Sequence, residues 1–149
     1  MRRLLTPLLL LLAFATLPVL LEGRRQTTAP VSNAPISYRV TFPAPEHHWM
    51  QVEASFSRLP SKPLDARMSR SSPGRYAVAE FAKNVFSLEA YNSKGQRLEV
   101  TRSDADVWRV TGHDGTVRIV YKIFGDYANG TFFGVDTTHA HLNMPTAFM

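Results

Sequence analysis

The side chains best suited to chemistry in this sequence are its five histidines: His47, His48, His113, His139 and His141. His139 and His141 stand two apart, a spacing that puts both on one face of a strand. With Asp136 they make a candidate metal group. No further ligands are apparent, so exposed loop histidines, or a contact with another domain, are the competing readings. His47 and His48 precede a strand-like run and read as surface residues. Asp104 and Asp106 lie in the polar run Ser103-Asp104-Ala105-Asp106. Acid–base work needs two carboxyl groups brought together by the fold, and a solvated loop accounts for this run without it. Ser71 and Ser72 have no base that the sequence identifies. Asn129-Gly130-Thr131 fits the N-glycosylation pattern, and a plain turn fits it as well. H-E-x-x-H, G-x-S-x-G and the P-loop are all absent. The chain has no cysteine, which excludes a disulfide scaffold, a thiolate zinc site, a cysteine nucleophile and a lipid-modified cysteine.

Any such residues must be held by strands, because the body of the chain alternates with period two. Ile36, Tyr38, Val40 and Phe42 fall on one face of a half-buried strand that Pro43 and Pro45 end. Met50, Val52, Ala54 and Phe56 alternate with Gln51, Glu53, Ser55 and Ser57 in a second. Residues 64–68 give a short third strand. Residues 85–91 give another, followed by the turn Asn92-Ser93-Lys94-Gly95, a hairpin signal, with residues 98–101 returning. Residues 107–111 come next, then the turn His113-Asp114-Gly115. Residues 116–124 form the clearest strand, with Val117, Ile119, Tyr121 and Ile123 on one face. Residues 76–84 are the one helical candidate. The pattern predicts an all-β fold, a β-sandwich of short, mostly antiparallel strands. No internal repeat interrupts it.

At 149 residues, 44% hydrophobic and 19% charged, the chain fits one packed domain. Arg2 and Arg3 precede an apolar run from Leu4 to Leu21, with small residues at Ala13, Ala15 and Gly23. That is the layout of a secretory signal peptide over residues 1–23. An uncleaved membrane anchor is the rival, since the run approaches spanning length. Arg24 and Arg25 oppose translocation, whereas Pro7 and Pro18 oppose one long helix. Either way the body is expected outside the cytoplasm, periplasmic or secreted. Residues 24–35 read as a polar, proline-containing linker, and residues 36–149 as the domain. The net charge is +5. Its densest basic stretch, from Arg58 through Lys62, Arg67 and Arg70 to Arg75, carries no interleaved aromatic platform. Nucleic acid is therefore not expected as a partner.

Four segments resemble one known family. They are Ile36-Ser37-Tyr38-Arg39-Val40 with Phe42-Pro43 and His47-His48; Ser72-Pro73-Gly74-Arg75-Tyr76 continuing into Glu80-Phe81-Ala82-Lys83-Asn84-Val85; Trp108-Arg109-Val110; and the ending THAHLNMPTAFM. Together they resemble the amino-terminal domain of glycyl-aminopeptidase-type zinc metallopeptidases, metallopeptidase family sixty-one, many of which also carry a PDZ domain. The second segment is the most specific. The resemblance implies a β-sandwich that precedes a thermolysin-like catalytic domain. In that domain the two histidines of H-E-x-x-H and a downstream glutamate hold zinc, and the glutamate inside the motif activates water. None of those residues occurs here, so no zinc or other cofactor is expected in this chain, and the chain as it stands is not expected to be an enzyme.

What the resemblance implies instead is a module that braces the catalytic domain in cis and lines one side of the substrate cleft, touching peptide only indirectly. Arg75, Tyr76, Glu80, Phe81, Asn84, His139, His141 and Asn143 are the candidate interdomain or cleft-facing residues. Within the second segment, Pro73-Gly74 would set a turn and Tyr76, Val78 and Phe81 would pack. Core packing alone is the competing reading of that segment. Phe132, Phe133, Leu142 and Phe148 are expected to form an exposed apolar patch. On this reading the chain is a truncated product or gene fragment. The alternatives are a free-standing exported β-sandwich that binds protein or glycan, and a small metal-binding hydrolase.

Overall fold

The computed structural model describes residues 34–127, 129 and 131–149. The expected leader over residues 1–23 and most of the linker over 24–35 lie outside the described residues. Among the described residues the fold is mostly β, with antiparallel strand pairing and one very short α-helix.

Four strands form the larger sheet: β1 (Ser37–Ala44), β2 (Trp49–Phe56), β4 (Val85–Tyr91) and β7 (Val117–Phe124), in the order β1-β2-β7-β4. A second sheet contains β3 (Leu64–Arg67), β5 (Glu99–Asp104) and β6 (Val107–Thr111), in the order β3-β6-β5. The hairpin β8 (Gly134–Val135) and β9 (Ala140–His141) and the single turn of helix α1 (Met144–Ala147) complete the fold. Both larger sheets supply one apolar cluster: Met50, Val52, Ile119, Tyr121 and Ile123 from the first, Ala66, Trp108 and Val110 from the second.

β2 and β7 form the centre, as their strict alternation predicts. Met50, Val52 and Ala54 are fully buried, and so are Val117, Ile119, Tyr121 and Ile123. Each large apolar side chain so buried contributes on the order of 1.5–3 kcal/mol, which fixes the register, since a one-residue slip would turn the whole row outward.

Three expectations change. Residues 76–84 are not an α-helix: only Phe81–Asn84 coil, as a 3-10 turn. So short a run cannot repay helix nucleation, and only Phe81 and Ala82 in it are buried. The hairpin signal at residues 92–95 joins strands of different sheets. Asn92 and Gln96 do exchange a turn bond, and Tyr91 bridges Arg97. Beyond it β4 follows β7 while β5 follows β6. The turn at residues 113–115 likewise carries the chain from β6 to β7. β1 also departs from expectation. Of its predicted inward row only Val40 is half-buried, whereas Ile36, Tyr38 and Phe42 are exposed. β1 is an outermost strand, with a bulge after Thr41.

Candidate functional site

The residues 72–84 begin in a turn that the sequence dictates. The Arg75 N–H donates to the Ser72 carbonyl at 3.1 Å. Pro73 fixes the first central position, and Gly74 takes φ +76° at the second, which favours glycine. Farther along, the Ala79 N–H donates to the Arg70 carbonyl at 2.8 Å. Phe81 then enters the core. Tyr76 and Val78 do not pack as expected; they are fully and 70% exposed. The stretch between the turn and Phe81 is a loop, which has no inner face to put them on. Arg75 is exposed, Glu80 pairs with Lys83 across 3.9 Å, and Asn84 is half-buried.

The carboxyl-terminal segment meets this corner. Asn143 donates from Nδ2 to Ser72 Oγ at 3.0 Å and to the Thr131 carbonyl at 2.6 Å. Ser72 and Thr131 are themselves buried. The Phe81 ring stands edge-on to Phe132 at 5.6 Å, and Phe132 lies 5.1 Å from Tyr127. The Asn143 carbonyl accepts both the N–H and the hydroxyl of Thr146, which starts the turn of α1. The ending of the chain is thus tied through one amide to the most specific of the recognised segments. From the sequence, Ser72 reads as a serine without a base and Thr131 as part of a glycosylation pattern, not as partners of Asn143. A buried serine beside a proline–glycine turn leaves no pattern there, because its partner lies 71 residues away.

His139 and His141 are not brought onto one strand face. β9 contains only Ala140–His141, with His141 opposite Gly134. His139 belongs to the turn before it, where Asp136 organises the chain. Asp136 Oδ1 accepts the Thr138 hydroxyl and N–H, both at 2.6 Å, and the His139 N–H at 2.9 Å. His139 Nδ1 lies 3.0 Å from Asp136 Oδ2. These donors, the Thr138 hydroxyl foremost, hold the Asp136 carboxyl down at about 2. An aspartate that binds its own loop is an Asx turn, and its oxygens are already in use. Among the described residues there is no group of three or more histidine or carboxylate side chains that could hold a metal ion.

His47 is exposed, as expected, while His48 and His113 hold the frame. His48, at φ +61°, donates from Nδ1 to the Val135 carbonyl at 2.6 Å and places Nε2 3.6 Å from Asp126. His113 accepts the Gly115 N–H at Nδ1, so Nε2 carries the proton given to the Lys62 carbonyl at 2.9 Å. Asp104 and Asp106 do not act as a pair. Asp104 accepts the Ala105 N–H. Asp106 is buried and meets Arg67 at 3.2 Å through Oδ2, while Oδ1 has no hydrogen-bond partner.

The expected apolar patch is mostly covered. Phe133 is buried, and Phe132, Leu142 and Phe148 are half-buried against the core. These side chains close the fold's own end, and the apolar surface left open beside them includes Tyr127 next to Phe132 and Tyr38 next to Phe148.

Residues 37–149 match the Peptidase M61 N-terminal domain family. No curated protein matches the chain. Among solved structures, the fold is similar to that of an aminopeptidase N family protein from Idiomarina loihiensis, with a TM-score of 0.64 and 19% identity. The likeness covers 68% of this chain and 17% of that one. At that identity it is a likeness of fold.

Proposed function

The chain belongs to the peptidase M61 N-terminal domain family, and from that premise we propose that it is the non-catalytic, exported amino-terminal module of an aminopeptidase-like zinc metallopeptidase. Its two antiparallel sheets act as the layers of a β-sandwich. The module braces the catalytic domain in cis and lines one side of the substrate cleft. Zinc and the groups that activate water belong to that catalytic domain. Arg75, Tyr76, Glu80 and His141 are surface groups available to it, and through it the module meets peptide only indirectly.

One observation carries this reading. The corner at residues 72–84 and the carboxyl-terminal segment, far apart in sequence, are locked together by Asn143. A connection to a following domain would thus start from a rigid base, and preorganisation of that kind lowers the cost of docking. The test compares the catalytic domain of a peptidase of this family alone and joined to residues 24–149. The joined form is expected to melt higher and to cleave amino-terminal residues with a higher kcat/KM. Equal melting and equal kcat/KM would overturn the proposal. Export is tested separately, by recovery of a processed chain outside the cytoplasm.

A further inference from the structure

The larger sheet is one strand wider than its partner, and β1 is its outer member. Tyr38 pairs with Ala54 and Val40 with Val52. Ala54 and Val52 face the core with no exposure. Residues directly opposite in an antiparallel pair share a side of the sheet, so Tyr38 and Val40 also point to the core side. Yet Tyr38 is 37% exposed, as are Ile36 before it, at 48%, and Phe42 at the bulge, at 41%. Tyr38 thus stands on the inner side of the sheet yet partly in water, and Ile36, just before the strand, and Phe42, in its bulge, extend the open apolar surface along the same edge strand. The chain's own last residues cover it in part. The Phe148 ring stands edge-on to Tyr38 at 4.9 Å, and the Tyr38 hydroxyl donates to the Met149 carbonyl.

We infer that this row, Ile36, Tyr38 and Phe42 with Phe148, is the seat of the catalytic domain. The inference rests on the reading above of the chain as an amino-terminal peptidase module. It goes further by moving the main contact from the corner at residues 72–84 to the open side of β1. Two observations select this occupant. A polypeptide entering a following domain from Met149 starts on this face, because Tyr38 holds Met149 there, and a domain tethered by a short connection meets the nearest surface at high effective concentration. The row is also apolar and aromatic, the composition of the centre of a lasting interface. The corner instead mixes Arg75, Glu80 and Lys83 with its exposed aromatic, as an interface rim does.

The test uses the 149-residue chain and the catalytic domain of a peptidase of this family produced without its own amino-terminal domain. Affinity is measured by calorimetry for the parent chain, for Ile36→Thr/Phe42→Thr, and for Tyr76→Ser/Val78→Ser. Threonine suits an exposed strand position, and circular dichroism checks that both variants keep the fold. Hydrogen exchange across residues 37–42 gives a readout that needs no variant. The β1 pair is expected to weaken binding by about tenfold or more, the corner pair to weaken it severalfold less than the β1 pair does, and β1 to gain protection in the complex. Loss of binding in the corner pair alone, with β1 unprotected, would overturn the inference and leave the bracing role intact. No binding by the parent chain would sink the bracing role, and the inference with it. Self-association that the β1 pair abolishes, without a complex, would assign the row to a second copy and overturn the inference as well.

Discussion

Gly125 has no room for a side chain. A Cβ built there would meet the Phe133 ring at 2.2 Å, and that ring is buried and cannot swing into solvent. The backbone cannot give way either. The Gly125 N–H donates to the His48 carbonyl at 3.0 Å, and its own carbonyl accepts the Val135 N–H at 3.1 Å. Those bonds bring the end of β7, the corner before β2 and β8 together. Gly125→Ala is therefore expected to cost about 1–3 kcal/mol, as overpacking does. It would be read as a lower denaturation midpoint at unchanged slope, and an unchanged midpoint would mean that the ring yields. The glycine was visible in the sequence, but its reason was not, since the ring that excludes a Cβ arrives from eight residues on through β8. The Asp136 case runs the other way. The sequence offered aspartate with two histidines as a metal group, and the commoner role of aspartate, capping its own turn, is the one the fold uses.

Elements with strict alternation were legible, and their partners were not. β2 and β7 could be placed to within a residue because every second side chain is apolar and every one of those is buried. The alternation of β1 is as clean, yet its row is open, because exposure depends on the width of the opposite sheet and not on the strand's own pattern. Turn chemistry behaved alike. Asn92 to Gly95 do turn, with Asn92 Oδ1 accepting the N–H groups of Lys94 and Gln96. Which sheet the next strand joins is decided by long-range packing. The candidate site was half legible for the same reason: both segments could be named, while the bond that unites them spans the chain. Asn143→Ala tests that bond at the scale of elements. It leaves the Thr131 carbonyl and Ser72 hydroxyl, both in buried residues, without the amide that they meet. A cost of about 1–3 kcal/mol is expected, with faster hydrogen exchange concentrated in residues 72–84 and 129–149. Even exchange over the whole chain would mean that the two segments are not coupled through Asn143.

For the molecule as a whole, the last six residues act as a lid on the inner side of the larger sheet. Ala147 is fully buried and Phe148 half-buried. The Tyr121 hydroxyl, at the centre of the sheet, donates to the Ala147 carbonyl at 2.7 Å, and Tyr38 holds Met149. Burial pushes both phenols above their ordinary range, Tyr121 the more strongly. The sign of the resulting pH dependence follows from the direction of the shift. A phenol whose folded pKa lies above its unfolded one favours the folded state through proton binding, so stability holds below about pH 10 and falls as pH rises above it. Deleting residues 144–149 removes the cover from both tyrosines. The shortened chain is expected to lose about 2–4 kcal/mol at neutral pH from the apolar area returned to water. Its tyrosines should ionise closer to their ordinary range, followed by ultraviolet absorbance. Its stability should also fall less steeply above pH 10 than that of the parent, because less of the shift remains to be lost. An unchanged tyrosine titration in the shortened chain would mean that the sheets, and not the lid, bury Tyr121.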